Sequence, residues 1–383
     1  MILHYPKKRT EFEILSETEK LNLVSVFGGG NNKLIKGENL QALKSLIEDF
    51  DLKGKIDLIY IDPPFATNNH FTIGEDRVST ISNSKNDKTA YKDELVGSDF
   101  LEFLRERLFF LKELLSEKGS IYLHIDYKIG HYVKVIMDEV FGIDNFRNDI
   151  TRIKCNPKNF FRKAYGNIKD LILFYSKTSD MIWNDPKEEL SENDIEKLFK
   201  KIDSQGRRYT TIPLHAPGET LNGPTGKEWK GKLPPKGRHW RTDPKILDEW
   251  DKQNLIEWSK TGNPRKIIFA NEKTGKKKQD IWDYKDTQYP NYPTEKNINL
   301  LKDIILASSN ENSIVLDCFC GSGTTLIASQ ELGRKWIGID RSDEAIKVTQ
   351  KRLKNIPSNL FQLNTNFEYF EDIIENSEKE LYA

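Results

Sequence analysis

Cysteine is scarce in this sequence: only Cys155, Cys318 and Cys320 occur among 383 residues. Three thiols do not make a disulfide framework, and the Cys-x-Cys pair at 318–320 lacks the second ligand pair that a zinc site needs. We therefore expect no metal. Long apolar runs are also missing, since none approaches the roughly 20 residues that span a bilayer, and no apolar stretch follows the charged N-terminus. These absences predict a cytoplasmic protein with no membrane partner.

An excess of charge of one sign is absent as well, because 59 basic side chains balance 59 acidic ones. The distribution is nevertheless uneven: nine Lys and Arg residues outnumber three acidic residues between Gln205 and Lys245. A solvated surface is the ordinary explanation of such a run, but its Gly and Pro content also suits loops that bind phosphates. The candidate nucleic-acid-binding residues are Arg207, Arg208, Lys230, Arg238, Trp240 and Arg241.

A polar corner follows the first strongly apolar segment. Residues 56–61 predict a buried strand, which ends in Asp62-Pro63-Pro64-Phe65. A carboxylate, backbone carbonyls stiffened by two prolines and a flat apolar ring can together bind one planar amine. A strand-end cap is the structural alternative for Asp62, but the adjacent Pro-Pro-Phe favours a chemical function.

A second apolar strand, residues 313–317, runs into a Gly-Ser-Gly loop at 321–323. Glycine lets a ligand approach the backbone closely, and a helix beginning just after the loop would direct its first amides towards it. Taken alone, this pattern is also compatible with a tight structural turn. The next predicted strand, however, ends at Asp340, about 20 residues after the glycines, where an acidic group can accept hydrogen bonds from ribose hydroxyls.

The two motifs in this order, Asp-Pro-Pro-Phe at 62–65 and Asp-x-Phe-x-Gly-Ser-Gly-Thr-Thr at 317–325, resemble the beta group of S-adenosylmethionine-dependent DNA amino-methyltransferases. Residues 34–43 resemble the family's Gly-Asp-Asn-Leu segment, with Glu38 in place of Asp. Residues 119–126 resemble a core strand, and 292–296 resemble the Pro-Thr-Gln-Lys motif, with Glu295 in place of Gln. The resemblance implies S-adenosylmethionine as cofactor, bound by Glu38, Asn39, Asp62, Thr294, Lys296, Asp317, Phe319, Gly321, Gly323, Thr324 and Asp340.

The resemblance also implies an α/β fold: a doubly wound, circularly permuted Rossmann-like methyltransferase sheet with an inserted target-recognition region. The catalytic half precedes the cofactor half in the chain, so the strands ending at Asp62 and Asp317 should lie side by side. We expect residues 1–150 and 286–383 to form this core, with ligands at the carboxyl ends of its strands. Residues 151–285 are expected to form the DNA-binding region.

The activity that the resemblance implies is site-specific methylation of the N6 amine of a flipped adenine in duplex DNA. Asp62, Pro63, Pro64 and Phe65 are the catalytic residues: Phe65 would stack on the extruded base, while Asp62 and the carbonyl of Pro63 accept hydrogen bonds from the amine. Cytosine-amine enzymes of the family usually carry Ser where this chain has Asp62, which favours adenine. The implied partners are duplex DNA, a second copy of the chain and a cognate restriction endonuclease.

Other functions remain open on the sequence alone. A cytosine-N4 or RNA methyltransferase would use the same chemistry and a similar corner. A catalytically silent DNA-binding module is the non-enzymatic alternative, although such a protein has no need of Asp-Pro-Pro-Phe. A nicotinamide-dependent oxidoreductase is disfavoured, because its Gly-rich loop normally begins the fold and has a third glycine.

Two further segments carry structural predictions. Apolar residues at helical spacing predict a helix between Asp99 and Glu117 that Gly119 ends, and its apolar face is expected to be core. Residues 67–97 are polar and weakly patterned. A loop of this length is often functional, and we expect it to order over DNA or cofactor.

Overall fold

The computed structural model describes residues 2–64, 70–73, 78–79, 88–92, 97–157, 163–272, 275–286, 295–356 and 367–373. The chain divides into two compact units, a large one formed by Met1–Pro186 with Gln279–Ala383 and a small one formed by Lys187–Lys278. No helix in these described ranges is long and apolar enough to cross a membrane.

The helices are α1 (Glu11–Glu17), α2 (Asn39–Glu48), α3 (Gly97–Leu114), α4 (Gly130–Phe141), α5 (Glu192–Leu198), α6 (Pro244–Lys252), α7 (Ile298–Ser308), α8 (Thr324–Glu331) and α9 (Asp343–Lys354). The strands are β1 (Leu23–Gly28), β2 (Asn32–Lys36), β3 (Ile56–Ile61), β4 (His70–Ile73), β5 (Val78–Ser79), β6 (Lys88–Lys92), β7 (Leu115–Ile125), β8 (Phe146–Ile153), β9 (Lys169–Ser176), β10 (Lys187–Glu188), β11 (Lys201–Ile202), β12 (Arg208–Pro213), β13 (His215–Pro217), β14 (Arg238–Trp240), β15 (Ile256–Trp258), β16 (Pro264–Phe269), β17 (Lys276–Lys277), β18 (Ile281–Asp283), β19 (Ile314–Asp317), β20 (Lys335–Asp340) and β21 (Phe367–Asp372).

The large unit is built on one mixed sheet with the strand order β1-β21-β2-β20-β19-β3-β7-β9-β8-β18. Its centre, from β2 to β7, is parallel. Strands β3 and β19 are neighbours, with Leu58 opposite Val315 and Ile59 opposite Leu316. The predicted adjacency of the two motif-bearing strands is therefore confirmed, although about 250 residues separate them in the sequence.

Both faces of this sheet are covered by helices, as a doubly wound fold requires. Along β3, Ile59 and Ile61 pack on one side with apolar residues of α2, α3 and α4. Leu58 and Tyr60 point to the opposite side, where they pack with α7 and α8. This alternation follows from the two-residue period of a strand. Because both faces of β3 are buried, its sequence is apolar almost throughout. The helices on both faces of a largely parallel sheet confirm the predicted fold class.

The predicted helix at 99–117 is present but shifted, because α3 ends at Leu114 and Leu115 already belongs to β7. Gly119 does not end the helix. It lies inside β7, where a Cβ atom would stand 2.8 Å from the carbonyl oxygen of Ile56 on the neighbouring strand. The glycine therefore permits a close approach of two strands.

The predicted loop at 67–97 contains regular structure. Its described parts, β4, β5 and β6, form a three-stranded antiparallel sheet in the order β5-β4-β6. The prediction of an irregular segment is wrong for these strands. Its role over DNA or cofactor stays a prediction.

The small unit contains a four-stranded antiparallel sheet, β11-β12-β16-β15, and the strand pairs β13–β14 and β10–β17. It is narrower than the region predicted at 151–285, because β8, β9 and β18 belong to the sheet of the large unit. The apolar run of β9 is the reason: all its residues except the first are buried against β7 and β8. The interior of the small unit is formed by Leu214, Trp229, Trp240 and Leu247.

Candidate active site

Asp62 follows β3 at the carboxyl edge of the parallel sheet, and its two carboxylate oxygens have different surroundings. Oδ2 forms an ion pair with Nζ of Lys296, which lies just before α7. Oδ1 is buried and accepts no hydrogen bond from the part of the chain that the structure describes. Pro63 is buried beside it, whereas Phe65 lies outside the described residues. The ion pair thus fixes one carboxylate oxygen, and the other oxygen remains available as a hydrogen-bond acceptor.

Three residues that the sequence analysis missed lie next to Asp62. Tyr60, His124 and Asp170 are buried polar side chains on β3, β7 and β9. Because β9 runs antiparallel to β7, its first residues meet the last residues of β7 at the same edge of the sheet. The available signal was weak: each is a polar residue within or beside an apolar run, and only Tyr60 and His124 stand near the end of a predicted strand.

The glycine loop follows β19 and has an open side. Gly321 and Gly323 have φ angles of +51° and +78°, in the left-handed region that L residues other than glycine seldom adopt. A Cβ on Gly321 would meet no atom within 4 Å, whereas a Cβ on Gly323 would lie 2.7 Å from Cγ2 of Thr349. The backbone at Gly321 is therefore accessible to a ligand, and that at Gly323 is packed against α9.

Asp340 ends β20 and fastens this loop. Its Oδ2 accepts the amide of Gly321 at 2.9 Å, and its Oδ1 accepts the amide of Ser342 at 2.9 Å. Burial raises the pKa of this carboxyl. A carboxylate oxygen has two acceptor positions, so each oxygen can still accept a bond from a ribose hydroxyl.

The first turn of α2 is tied to the same loop. Asn39 donates to the carbonyl of Cys318 at 2.8 Å and accepts from Nε of Arg107 at 2.6 Å. Glu38 accepts the amide of Leu40 at 2.7 Å and pairs with Arg107 at 2.5 Å. These contacts place Glu38 and Asn39 beside the loop and occupy much of their hydrogen-bonding capacity within the protein, and their contact with the cofactor stays a prediction.

The remaining predicted cofactor residues have mixed positions. Phe319 is half-buried and packs near the ring of Phe103, 6.1 Å between centroids. Thr324 is buried and accepts a bond from Nη1 of Arg352 at 3.2 Å. Thr294 lies outside the described residues. The structure therefore brings most of the set to one edge of the sheet, and direct contact of each with the cofactor stays a prediction.

The residues at this edge fit S-adenosylmethionine in two respects. Open space at Gly321 allows a ligand to approach the backbone, and Asp340 retains acceptor positions for ribose hydroxyls. The first turn of α8 has no side-chain cap, so its amides can also face a ligand carboxylate.

Asp317, the last residue of β19, is fully buried in this site, and burial raises the pKa of its carboxyl to about 7. The hydroxyl of Thr325 and the amide of Phe319 donate to it at 2.6 and 3.0 Å. These bonds favour the ionised form, but they do not offset the effect of burial on the pKa.

We expect the free energy of unfolding to decrease with rising pH because of Asp317. Its folded pKa is above its unfolded value of about 3.9, so the folded protein binds one more proton between about pH 4 and 7. Stability falls there by at most about 1.4 kcal/mol per pH unit. Urea unfolding across this range should show that stability falls less, or rises more, with pH in Asp317→Asn than in the wild type. Identical slopes would contradict the raised pKa.

The predicted DNA-binding side chains of the small unit differ in their surroundings. Trp240 is a correction: it is 1% exposed, and its Nε1 donates to the carbonyl of Lys227 at 2.9 Å. A small unit needs large apolar side chains for its interior, so this ring cannot stack on a base. Three of the cations form ion pairs: Arg207 with Asp203, Arg208 with Glu196 and Lys230 with Asp251.

Arg238 and Arg241 are exposed and have no carboxylate partner among the described residues. Arg238 lies 3.2 Å from Nδ1 of His215, and Arg241 donates to the carbonyl of Pro213 at 3.0 Å. Burial, followed by the charges of Arg238, Arg241 and Arg265, lowers the pKa of His215. The cluster is therefore a site of positive potential around a neutral imidazole.

Comparison with known proteins identifies a family and several relatives of this chain. A family model described as DNA methylase matches residues 56–351. The type II methyltransferase M.EcaI of Enterobacter cloacae is 40% identical over 363 residues, which cover 91% of this chain and 77% of that protein. The probable type III restriction-modification enzyme HindVI Mod subunit of Haemophilus influenzae is 26% identical, over 85% of this chain and 50% of the subunit. The chain thus spans about half the length of that subunit.

Proposed function

The chain belongs to the DNA methylase family, and on this premise we propose that it methylates the exocyclic N6 amine of adenine in duplex DNA. The membership confirms the predictions of a DNA methyltransferase and of S-adenosylmethionine as its cofactor. The choice of adenine rests on Asp62 and on the resemblance of its motif.

The buried Oδ1 of Asp62 is the observation that supports this proposal most directly. A buried acceptor without a partner is costly, and an ionised carboxylate forms stronger hydrogen bonds than a neutral group does. An incoming amine N–H can satisfy this oxygen, with the carbonyl of Pro63 as the second predicted acceptor. Both bonds draw the nitrogen lone pair out of conjugation with the ring.

Lys296 prepares Asp62 for this contact. Its ion pair holds Oδ2, so the carboxylate cannot rotate without losing a charge interaction. Bound S-adenosylmethionine would supply an electrophilic methyl group at this edge of the sheet, and its S–C bond would break to leave the neutral thioether S-adenosylhomocysteine. Asp62 then aims the amine at that group, and positioning of this kind lowers barriers by about 7–11 kcal/mol in favourable cases. The amine proton, which becomes acidic only as the new N–C bond forms, can pass to Oδ1 or to water.

The target atom lies inside a base pair, so the nucleotide must leave the stack before reaction. Phe65 is the residue proposed to stack on it. Digestion of methylated duplex DNA to nucleosides tests the choice of base. N6-methyl-2′-deoxyadenosine is the expected product, whereas N4-methyl-2′-deoxycytidine would contradict the proposal.

We further propose that the small unit contacts DNA through Arg238 and Arg241. These two side chains are exposed and carry charge that no described carboxylate neutralises, and phosphate oxygens would do so. The ion-paired Arg207 and Lys230 would first have to give up their partners.

The double substitution Arg238→Gln/Arg241→Gln is expected to weaken DNA binding and to reduce its dependence on salt. Each lost phosphate contact lowers the slope of log K against log salt by about 0.9. Fluorescence anisotropy at several salt concentrations measures both effects. Arg207→Gln/Lys230→Gln is the matched control, since it removes the same charge from ion pairs. Equal losses in both double variants would contradict the assignment.

The relatives' names motivate proposals about partners. A restriction-modification setting, with a cognate endonuclease for the same sequence, is proposed from the similarity to M.EcaI and to the Mod subunit. A homodimer is proposed from the family resemblance, and sedimentation velocity of the purified protein tests it. The cytoplasmic location stays a prediction.

A further inference from the structure

A series of buried polar side chains stands behind Asp62. The hydroxyl of Tyr60 lies 2.9 Å from Nδ1 of His124, and Nε2 of His124 lies 3.4 Å from Oδ2 of Asp170. His124 is 0% exposed and Asp170 is 2% exposed. His124 Nδ1 is 3.9 Å from Oδ1 of Asp62, so the series ends within reach of the oxygen assigned to the target amine.

We propose that His124 is a positioning residue for methyl transfer, held by Asp170 and Tyr60 so that no hydrogen of its ring competes with the target amine for Oδ1 of Asp62. The inference rests on the proposed use of Asp62 as the amine acceptor. It assigns a function to Tyr60, His124 and Asp170, for which the sequence motifs predict none.

The two partners of His124 select one tautomer of its ring. Asp170, when ionised, can only accept hydrogen bonds, so the nearby Nε2 carries the hydrogen. Burial, followed by the charges of Asp62 and Asp317, raises the pKa of Tyr60 well above its usual range. Tyr60 therefore stays protonated, and its hydroxyl donates a hydrogen bond to the lone pair on Nδ1. In this arrangement the ring nitrogen closest to Asp62 has no hydrogen.

The opposite tautomer would place an N–H at Nδ1, 3.9 Å from Oδ1 of Asp62. That hydrogen would be shared between the hydroxyl oxygen of Tyr60, 2.9 Å from Nδ1, and the carboxylate, which has no other described donor at Oδ1. The target amine would then have to displace an internal hydrogen bond. Asp170 thus acts on the reaction through the ring of His124, without contact with the substrate.

The charges around Asp170 keep this arrangement in place. Lys154 donates to Oδ1 of Asp170 at 2.6 Å, and Nη1 of Arg152 lies 3.5 Å from Oδ2. Burial alone would raise the pKa of Asp170, but its interactions with His124 and Lys154 bring it below the usual range. The carboxylate is therefore ionised.

The ring itself is neutral, because its pKa is lowered, chiefly by burial. Asp170 and Asp62 oppose this effect, whereas Lys296 and Arg152 add to it. A cationic ring would carry hydrogens on both nitrogens and would direct one of them at Asp62. The environment disfavours that form at neutral pH.

Nitrogen-15 NMR of histidine-labelled protein tests the tautomer without any assay of activity. The spectrum of His124→Gln identifies the signals of His124. We expect a hydrogen on Nε2 in the wild type. In Asp170→Asn we expect it on Nδ1, because the carboxamide can donate to Nε2. A hydrogen on Nδ1 of the wild-type ring would overturn the proposal.

Single-turnover kinetics test the consequence for the reaction. Asp170→Asn is expected to lower the rate of methyl transfer by about 100-fold, the effect of a misplaced reacting group, with unchanged affinity for cofactor and DNA. The rate is measured on the base that the wild type methylates, so a wrong base assignment does not affect the result. An unchanged rate in a variant with the Nδ1 tautomer would refute the role of His124.

Tyr60→Phe provides a second test in case Asp170→Asn fails to fold. Loss of the hydroxyl removes a bond to neutral His124, so the pKa of the ring rises and the acid limb of the rate profile moves to higher pH. Tyr122→Phe is the matched control: it removes a buried hydroxyl from β7 that bonds to Ser308 at 2.7 Å. An acid limb that moves in Tyr122→Phe, or that stays in place in Tyr60→Phe, would contradict the proposal.

Discussion

Replacing Asp62 with Asn is expected to lower methyl transfer by at least about 100-fold, the usual effect of removing one transition-state contact, while the other predicted cofactor residues retain most of the affinity for S-adenosylmethionine. The carboxamide has nearly the same size as the carboxylate but no charge. Its NH₂ group can also point towards the target amine, where two donors would face each other. The ion pair with Lys296 is lost as well, so the orientation of the side chain is no longer fixed.

Asp57→Asn is the control for this substitution. Asp57 lies near the start of the same strand, where it accepts a bond from Ser116 at 2.8 Å, far from the carboxyl edge. Calorimetric titration with S-adenosylmethionine and thermal unfolding, measured for both variants, separate loss of chemistry from loss of structure. Turnover at the wild-type rate in Asp62→Asn would remove Asp62 from the reaction.

Gly323→Ala is expected to cost both stability and cofactor affinity. The new Cβ would lie 2.7 Å from Cγ2 of Thr349, at a φ of +78° that L residues rarely adopt. Thr349 is buried and donates to the carbonyl of Gly321 at 2.9 Å, so it cannot yield without disturbing the loop. Overpacking of this kind costs about 1–3 kcal/mol, which thermal unfolding will detect.

Gly321→Ala separates the two effects. Its Cβ would meet no atom within 4 Å, so the cost in stability is limited to the left-handed backbone, about 1–2 kcal/mol. The methyl group would nevertheless occupy space predicted for the cofactor. We expect affinity for S-adenosylmethionine to fall although packing is intact. Wild-type affinity in this variant would exclude Gly321 from the cofactor site.

The parts of the fold that could be predicted from sequence are those carried by local patterns. The strands ending at Asp62 and Asp317 are short apolar runs followed directly by polar motifs. Their adjacency followed from the order of those motifs in a resembled family. Helix α3 was recognised by its apolar period, but its end was misplaced because Gly119 serves the contact between β3 and β7 instead of a helix cap.

The rest depends on tertiary contacts that no local pattern encodes. Trp240 stands among cations and was expected at the surface, yet it fills the interior of the small unit. Asp170 lies in a segment expected to bind DNA, and only the pairing of β9 with β7 brings it to His124. Burial of the Trp240 indole N–H and of the Asp170 carboxylate is tolerated because each has a polar partner elsewhere in the sequence.

The most direct test of the account supplies labelled S-adenosylmethionine and duplex DNA of mixed sequence to the wild type and to Asp62→Asn. The DNA is then digested, and the labelled nucleoside is identified. We predict label in N6-methyl-2′-deoxyadenosine for the wild type, and almost none for the variant although it still binds the cofactor. Label in cytosine, or equal label from both proteins, would contradict the assignment of Asp62 as the residue that positions an adenine amine.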